Sequence, residues 1–177
     1  VLRVLVGFFK TINRNNVENI HIVGTAALRD AKNSKEITQL IEKRFGFEVD
    51  IVSGEDEGVL TSIGVLNSLG RLENFLIVDI GGRSTEFIYD HDNKIVSKSL
   101  NIGVVSLGEL YFNELPPSET TLLLAQEYIT SNLFESKYFD GRMLVGVAGT
   151  FTSLASIFLE QSQYNDKEIH LTELKNE

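Results

Sequence analysis

The fold is decided by the stretch Asp79-Ile80-Gly81-Gly82-Arg83-Ser84-Thr85-Glu86-Phe87, which joins two apolar runs with the composition of β-strands. A Gly-Gly turn between two such runs predicts a β-hairpin. If the register is centred on Gly82-Arg83, Asp79 and Glu86 face each other with Cβ atoms roughly 5 Å apart. Like charges at this separation are tolerated best when a cation or a shared proton lies between them. The stretch therefore predicts acidic metal ligands beside a turn that holds phosphate.

The same stretch offers groups that bind phosphate. Gly81 and Gly82 let a ligand approach the backbone N–H groups, and Ser84 adds a hydroxyl donor. Farther along the chain, Gly149 and Thr150 open a helix after a strand, which is an anion-binding arrangement. Both features have an ordinary alternative, because a Gly-rich turn is often only a turn and Thr150 would also serve as an N-cap. The neighbouring acids favour phosphate binding at the first pair of glycines.

Composition limits the classes of function that the chain can have. Its net charge is −9, from 25 acidic and 16 basic residues, so it lacks the basic stripe that DNA or an anionic membrane requires. No apolar run approaches the roughly 18 residues that span a bilayer. The absence of cysteine excludes disulfides and thiolate metal sites and fits a reducing compartment. We therefore expect a cytoplasmic protein that handles phosphate with divalent metal and a few arginines.

The order of the predicted elements changes near residue 72. Before it, helices alternate with short strands, which indicates an α/β arrangement. After it come three strands, two helices, a strand and a helix, which is the order of a ribonuclease-H-like domain. The strands are predicted at 75–80, 85–91, 94–100 and 143–147. We therefore predict an α/β protein with parts of two domains, at 1–72 and 73–177.

Two helix boundaries in the second part are predicted from local signals. Ser106 and Glu109 form a possible capping box, which would begin a helix near Ser106. Pro116-Pro117-Ser118 would begin a longer helix that runs to about residue 135.

Five motifs carry a resemblance to a known family. They are 23–33 (VGTAALRDAKN), 52–57 (VSGEDE), 79–86 (DIGGRSTE), 100–107 (LNIGVVSL) and 146–150 (GVAGT). Their sequences and order resemble the exopolyphosphatase/guanosine pentaphosphate phosphohydrolase (Ppx/GppA) family, within the actin-like ATPase superfamily. The resemblance implies a ribonuclease-H-like fold, in which 1–72 is the C-terminal part of a first actin-like domain and 73–177 is an incomplete second one.

The chain departs from the family pattern in two ways. The family's first phosphate loop, of the Asp-Ile-Gly-Ser-Asn-Ser type, is absent, so we expect an internal piece of a longer protein. Arg83 stands where the second loop usually has a third glycine, and Ala148 also replaces a usual glycine. Because arginine tolerates positive φ poorly, we expect a different turn, in which Arg83 either contacts phosphate or plugs the loop.

Three carboxylates are the predicted catalytic residues. By resemblance, Glu57 matches the base that activates the attacking water. It also lies in the first turn of a predicted helix, where the dipole favours its ionised form, and a purely helix-stabilising acid is the alternative. Asp79 and Glu86 are the predicted Mg²⁺ ligands, because magnesium usually takes one or two carboxylates plus substrate phosphates. A strand-end Asp in a turn and an exposed strand Glu are the alternative.

The resemblance implies an enzyme that handles phosphate chains. Arg29 is the predicted phosphate-clamping side chain, since an arginine fork suits phosphate geometry, with a surface salt bridge as the alternative. The expected activity is Mg²⁺-dependent release of terminal phosphate from inorganic polyphosphate or guanosine pentaphosphate by a homodimer. Two other functions stay open: a kinase or ATPase of the superfamily, and binding of polyphosphate or guanosine tetra- or pentaphosphate without catalysis. The isolated 177-residue chain is expected to be weakly active or inactive.

Overall fold

The structure is a computed structural model that describes residues 1–70, 72–133, 139 and 141–174. It divides the chain into two compact units, Val1–Ser53 and Gly54–Glu177. Within the described residues, no helix has the length and apolar character needed to cross a membrane.

The first unit contains a parallel pair of short strands together with helices. Its elements are α1 (Leu2–Arg14), β1 (Ile22–Gly24), α2 (Ala26–Arg29), α3 (Ser34–Phe45) and β2 (Val49–Ile51). Aromatic rings form its packing centre: Phe9 stacks on Phe45 with 4.3 Å between centroids and on Phe47 with 5.2 Å. Helix α3 ends at Gly46, whose φ of 78° is the left-handed conformation that closes many helices.

The second unit is built on a sheet with helices packed against it. Its elements are α4 (Gly54–Leu69), β3 (Phe75–Ile80), β4 (Thr85–His91), β5 (Lys94–Leu100), α5 (Val104–Tyr111), α6 (Glu119–Asn132), β6 (Met143–Val147), α7 (Ala148–Phe158) and α8 (Asp166–Ile169). The strands begin and end at the residues predicted from the sequence. The predicted end of the long helix, about residue 135, lies outside the described residues.

The sheet of the second unit has the strand order β5-β4-β3-β6. The three consecutive strands pair antiparallel, and β6 returns parallel to β3. A two-residue turn at Asp92-Asn93 joins β4 to β5, and both residues have the positive φ, 50° and 59°, that a tight hairpin of this kind requires. Three antiparallel strands followed by helices and a parallel strand are the predicted ribonuclease-H-like arrangement.

Both faces of β3 are covered, which accounts for its unbroken apolar sequence. Successive side chains of a strand point to opposite faces. They form one cluster on each face: Leu76, Val78, Phe87 and Tyr89, and Phe75, Ile77 and Ile88. Polar residues begin at Asp79, which is only half-buried. The Asp79 carboxylate therefore lies at the boundary of the buried part of the sheet.

Helix α5 begins earlier than the sequence indicated. It starts at Val104, and Ser106 is its third residue rather than its cap. The Ser106 hydroxyl accepts a hydrogen bond from the N–H of Gly103 at 2.8 Å. Glu109 takes no part in capping, because it forms an ion pair with Arg83. The predicted capping box is therefore wrong, although the helix exists.

Helix α4 packs against β5 and β4 through a row of small residues. Gly54, Gly58 and Ser62 recur every four residues, and all three are buried. A Cβ atom added at Gly54 would overlap the side chain of Ser99, and one added at Gly58 would overlap that of Ser97. The helix backbone therefore lies closer to the sheet than any larger residue would allow.

This packing groups α4 with the second unit. The compact units divide between Ser53 and Gly54, whereas the sequence predicts a domain boundary near residue 72. The contacts of α4 with the sheet account for the difference, because a helix is grouped with the surface on which it packs. The assignment of 1–72 and 73–177 to two domains of a larger protein stays a prediction.

We expect Gly58→Ala to destabilise the chain by about 1–3 kcal/mol, the usual cost of overpacking. The new methyl group would overlap Ser97 Oγ and lie 3.0 Å from Ile88 Cγ1. The matched control is Gly64→Ala on the same helix, where a Cβ meets nothing within 4 Å. This control should stabilise the chain by roughly 0.5–1 kcal/mol through helix propensity. Urea unfolding measures the stability of both variants. Stability changes of the same sign in the two variants would contradict the close contact at Gly58.

Candidate functional site

Asp79 and Glu86 face each other across the β3–β4 pair. They are direct partners in the antiparallel register, which confirms the register predicted from the Gly-Gly turn. Glu86 is buried, with 1% of its surface exposed, so it is not an exposed strand residue. A carboxylate in such a place is costly unless hydrogen bonds or a counter-charge compensate for its lost hydration. The two carboxylates are the first element of the site.

Two serine hydroxyls hold the Glu86 carboxylate. Ser99 Oγ donates to Oε1 at 2.7 Å, and the Ser84 hydroxyl also donates to the carboxylate. Burial raises the pKa of Glu86 above its ordinary 4.5, the two hydroxyls oppose that rise, and the negative charges of Glu57 and Asp79 add to it. The protein therefore holds Glu86 in a state that favours a bound proton or a nearby cation.

Asp79 experiences a similar conflict. Burial raises the pKa of Asp79 above its ordinary 3.8, and a long hydrogen bond from Thr61 opposes the rise. Thr61 Oγ1 lies 3.4 Å from Asp79 Oδ2. Since Thr61 lies on α4, this helix reaches Asp79 with a hydroxyl and Glu86 with the charge of Glu57. Three carboxylates thus share one electrostatic environment.

Glu57 lies in the first turn of α4, as predicted. That turn contains three acids, Glu55, Asp56 and Glu57, at the helix end that stabilises negative charge. Only Glu57 is half-buried, with a buried Oε2 atom, whereas the other two acids are exposed. The neighbouring Gly54 and Gly58 bring this turn against the sheet. Its partial burial and the effect of its charge on Glu86 therefore distinguish Glu57 from an ordinary first-turn acid.

The carboxylates suit a hard divalent cation as a pair. Among the residues that the structure describes, no group of three or more His, Cys, Asp or Glu side chains lies close enough to hold a metal ion. Two facing carboxylates are an all-oxygen donor set of the size that Mg²⁺ uses, because it keeps several waters and takes further ligands from phosphates.

The loop 81–84 lies against the first turn of α5. Gly81 O accepts a hydrogen bond from Val104 N at 3.1 Å. Gly82 O accepts from Val105 N at 2.7 Å and from Ser106 N at 3.2 Å. The loop carbonyls therefore satisfy N–H groups at the helix start that would otherwise have no partner.

Close approach, not unusual φ, requires glycine at this contact. A Cβ atom added at Gly103 would lie 2.5 Å from Arg83 N and from the carbonyl of Gly82. No residue of the loop 81–84 has positive φ, so Arg83 is accommodated without that strain. Its Nη2 atom lies 3.2 Å from both carboxylate oxygens of Glu109 on α5. The side chain is thus directed to α5.

A cavity of about 470 Å³ lies beside this loop. It is lined by Ile80, Gly81, Gly82, Val104, Gly149, Thr150, Ser153 and Leu154. The two segments predicted to bind phosphate therefore meet at one cavity. Thr150 Oγ1 donates to Ile80 O at 3.1 Å, which ties the start of α7 to the end of β3. Thr150 is consequently not the N-cap of α7, a position that Val147 occupies.

Ala148 adopts the conformation of the glycine that it replaces. It begins α7 with a φ of 66°. This left-handed conformation costs a residue with a Cβ atom roughly 1–2 kcal/mol. The turn from β6 into α7 is therefore kept at the expense of local strain.

Arg29 belongs to the first unit and has a structural contact there. Its Nη1 atom donates to Val52 O at 2.8 Å, which connects the end of α2 to the segment after β2. The side chain is partly buried. Its predicted role as a phosphate clamp stays a prediction.

Sequence reasoning missed the residues that position the carboxylates. Ser99 and Thr61 carry the hydroxyls that reach Glu86 and Asp79. The available signal was the spacing of Gly54, Gly58 and Ser62, since small residues at every fourth position indicate a helix face in close contact with a neighbour. That spacing does not identify the neighbour, and so the serines of β5 could not be assigned.

The sequence is similar to those of known phosphatases. Residues 1–176 match the profile of the Ppx/GppA phosphatase family. A bifunctional 3-dehydroquinate synthase/phosphatase of Fusobacterium nucleatum is 33% identical over 183 residues, covering 98% of this chain and 28% of that protein. A guanosine-5'-triphosphate,3'-diphosphate pyrophosphatase of Vibrio cholerae is 35% identical over 163 residues, covering 89% of this chain and 32% of that protein. The chain thus spans about a third or less of these relatives.

The fold is similar to that of a solved structure. The Aquifex aeolicus member of the Ppx/GppA family matches with a TM-score of 0.77 and 32% identity, over 95% of this chain and 55% of that one. This similarity confirms the predicted α/β fold of the ribonuclease-H-like, actin-like type.

We expect Ala148→Gly to stabilise the chain by about 1 kcal/mol, because glycine adopts positive φ without steric cost. The matched control is Ala155→Gly, at a buried position farther along α7. It should destabilise the chain by about 1 kcal/mol or more, through lost helix propensity and packing. Unfolding midpoints in urea compare the two. A destabilising Ala148→Gly would mean that the methyl group contributes more packing than the strain costs.

The pH dependence of stability should depend on Glu86. Because burial raises its pKa above 4.5 in the folded state, its stabilising contribution is complete below pH 4.5 and is lost as pH rises through the folded-state pKa. Glu86→Gln, which stays neutral, should therefore unfold at higher urea than the unaltered chain at pH 8 in EDTA, with the difference shrinking toward pH 4. The control is Glu127→Gln at an exposed position of α6. A difference at position 86 that does not change with pH would refute the assignment.

Proposed function

This chain belongs to the Ppx/GppA phosphatase family, and from that premise we propose that the protein is a phosphohydrolase that releases terminal phosphate from inorganic polyphosphate or guanosine pentaphosphate. One observation carries the proposal. Glu57 and Asp79 both act electrostatically on Glu86, and Asp79 and Glu86 flank a glycine loop that lines a cavity together with the start of α7. Hydrolysis of a phosphoanhydride needs a base for water and stabilisation of the phosphoryl charge, and these groups supply both.

Glu57 is the base in this proposal. A general base must be ionised and must lie within hydrogen-bond reach of the water that it activates. The start of α4 favours the ionised form of Glu57, while the buried Glu86 favours its own proton or a cation. A proton or a cation on Glu86 would reduce the repulsion at Glu57, which suits a division between proton acceptor and charge-neutralised partner.

Backbone donors hold the phosphate oxygens in this proposal. Gly81 and Gly82 line the cavity from one side, and Gly149 and Thr150 line it from another. The first N–H groups of α7 have no partner within a regular helix, so they are available to an anion. Arg29 keeps its expected role as a phosphate-clamping side chain through the family resemblance.

A divalent cation, most simply Mg²⁺, would be held by Asp79 and Glu86. It would supply positive charge to the oxygens of the transferred phosphoryl group. The cation would also offset the burial and the repulsion that together raise the pKa of Glu86. The chain's net charge of −9 disfavours binding of a polyanion, and such a counter-charge would offset part of that repulsion.

The Vibrio cholerae relative is named a guanosine-5'-triphosphate,3'-diphosphate pyrophosphatase, which supports guanosine pentaphosphate as one substrate. Polyphosphate ends in the same phosphoanhydride linkage, so the same base and donors would act on it. A homodimer is part of the proposal through the family resemblance. Relative kcat/KM for the two substrates would decide the preference, and sedimentation would decide the oligomeric state.

Binding without catalysis is the rival proposal, motivated by Arg83 and Ala148. The geometry favours catalysis over it. Ala148 keeps the φ of glycine, and Arg83 is directed to Glu109 without positive φ. The loop and the helix start are thus retained despite both substitutions.

Glu57→Gln should lower kcat for phosphate release by about 100-fold or more, the usual contribution of a general base, with little change in KM. The measurement uses the full-length protein with Mg²⁺ and either substrate. Glu55→Gln, an exposed acid of the same helical turn, is the matched control and should stay within about twofold of the unaltered enzyme. Equal rates for the two variants would remove Glu57 from the mechanism.

A further inference from the structure

The carbonyl groups of the loop 81–84 share a direction. Gly81 O and Gly82 O accept hydrogen bonds from the first turn of α5, at 3.1 Å from Val104 N and 2.7 Å from Val105 N. In a planar trans peptide, the N–H of the next residue points opposite to the carbonyl. The N–H groups of Gly82 and Arg83 therefore point away from α5.

These two N–H groups are available to an anion. Among the described residues, neither has a hydrogen-bond acceptor, whereas the N–H of Gly81 donates to Ser84 O at 3.0 Å. Successive N–H groups on one side of a loop form an anion-binding concavity. The orientation of the loop on α5 thus sets the side of the loop on which an anion would bind.

The side chain of Arg83 decides whether this N–H side stays open. A long cationic side chain in a glycine loop has two places to go: over the N–H groups, where it would occupy the phosphate position, or onto α5. The structure shows the second, with Nη2 at 3.2 Å from both oxygens of Glu109. The Arg83 side chain is 37% exposed and that of Glu109 is 58% exposed, so the pair lies at the surface.

We propose that Arg83 and Glu109 are positioning residues, whose ion pair fastens the loop to α5 and keeps the Arg83 side chain off the N–H side. Arg83 acts through Glu109 and does not clamp phosphate itself. The inference deepens the proposed function and rests on it, because it concerns the same phosphate loop. It assigns a role to the arginine that replaces the usual glycine.

The test compares variants of the full-length protein by two measurements. One is KM and kcat for phosphate release, and the other is calorimetric binding of inorganic tripolyphosphate in EDTA, which does not depend on turnover. Glu109→Gln and Arg83→Met should each weaken tripolyphosphate binding and raise KM by about two- to fivefold, the range expected for an exposed ion pair, with kcat little changed. The reversed pair, Arg83→Glu with Glu109→Arg, should restore both values.

Glu114→Gln is the matched control for charge. Glu114 is exposed shortly after α5, so this variant removes one negative charge without touching the ion pair. Loss of a negative charge by itself favours a polyanion, and the control should bind tripolyphosphate equally well or slightly more tightly. If Glu109→Gln weakens binding and Glu114→Gln does not, the weaker binding therefore comes from the lost ion pair.

Other outcomes overturn the inference. Tighter binding by Glu109→Gln, with no restoration by the reversed pair, would mean that Arg83 contacts phosphate directly. A lowered unfolding midpoint with unchanged KM and unchanged binding would mean that the pair only stabilises the fold. If the protein binds tripolyphosphate but releases no phosphate, the proposed function fails. The binding measurements on the variants still test the role of the ion pair in that case. If it releases phosphate but does not bind tripolyphosphate in EDTA, the inference fails while the proposed function stands.

Discussion

The close contact between α4 and the β4–β5 hairpin is the constraint on which the site depends. Gly54 and Gly58 allow the helix backbone to approach Ser97 and Ser99 to a distance that a Cβ atom would prevent. This approach brings the charge of Glu57 to Glu86. A helix held by larger residues would lie farther from the sheet, and the site would then have two facing carboxylates without the third.

Burial of Glu86 beside two other acids opposes stability. The carboxylate loses hydration and gains only two hydroxyl donors, from Ser99 and Ser84, while like charges raise its pKa further. A structural role would be served by an amide or an apolar side chain at lower cost. The strained φ of Ala148, at the start of the helix that lines the cavity, is a second local cost in the same region. Costs of this kind concentrate where a ligand or a reaction compensates for them.

The elements of the sheet could be predicted because their signals are local. Apolar composition, turn residues and the Gly-Gly spacing specify the hairpin, and the register of Asp79 with Glu86 follows from the turn. Capping could not be predicted as well. The Ser106 hydroxyl does cap α5, but from inside the helix, where it accepts from the N–H of Gly103. The Thr150 hydroxyl instead donates to Ile80 O, which is 70 residues away. Competition from such long-range partners is invisible in a helical window.

The sequence by itself determined the family, the ribonuclease-H-like fold class, the strand boundaries and the opposition of Asp79 to Glu86, because each of these follows from residues that are neighbours along the chain. Only the tertiary structure decided that the turn bearing Glu57 packs with the second unit, that the segments 81–82 and 149–150 line one cavity, and that Arg83 is directed to α5. Those contacts join distant segments, and whether they form depends on how closely the surfaces pack, which no local pattern of residues contains.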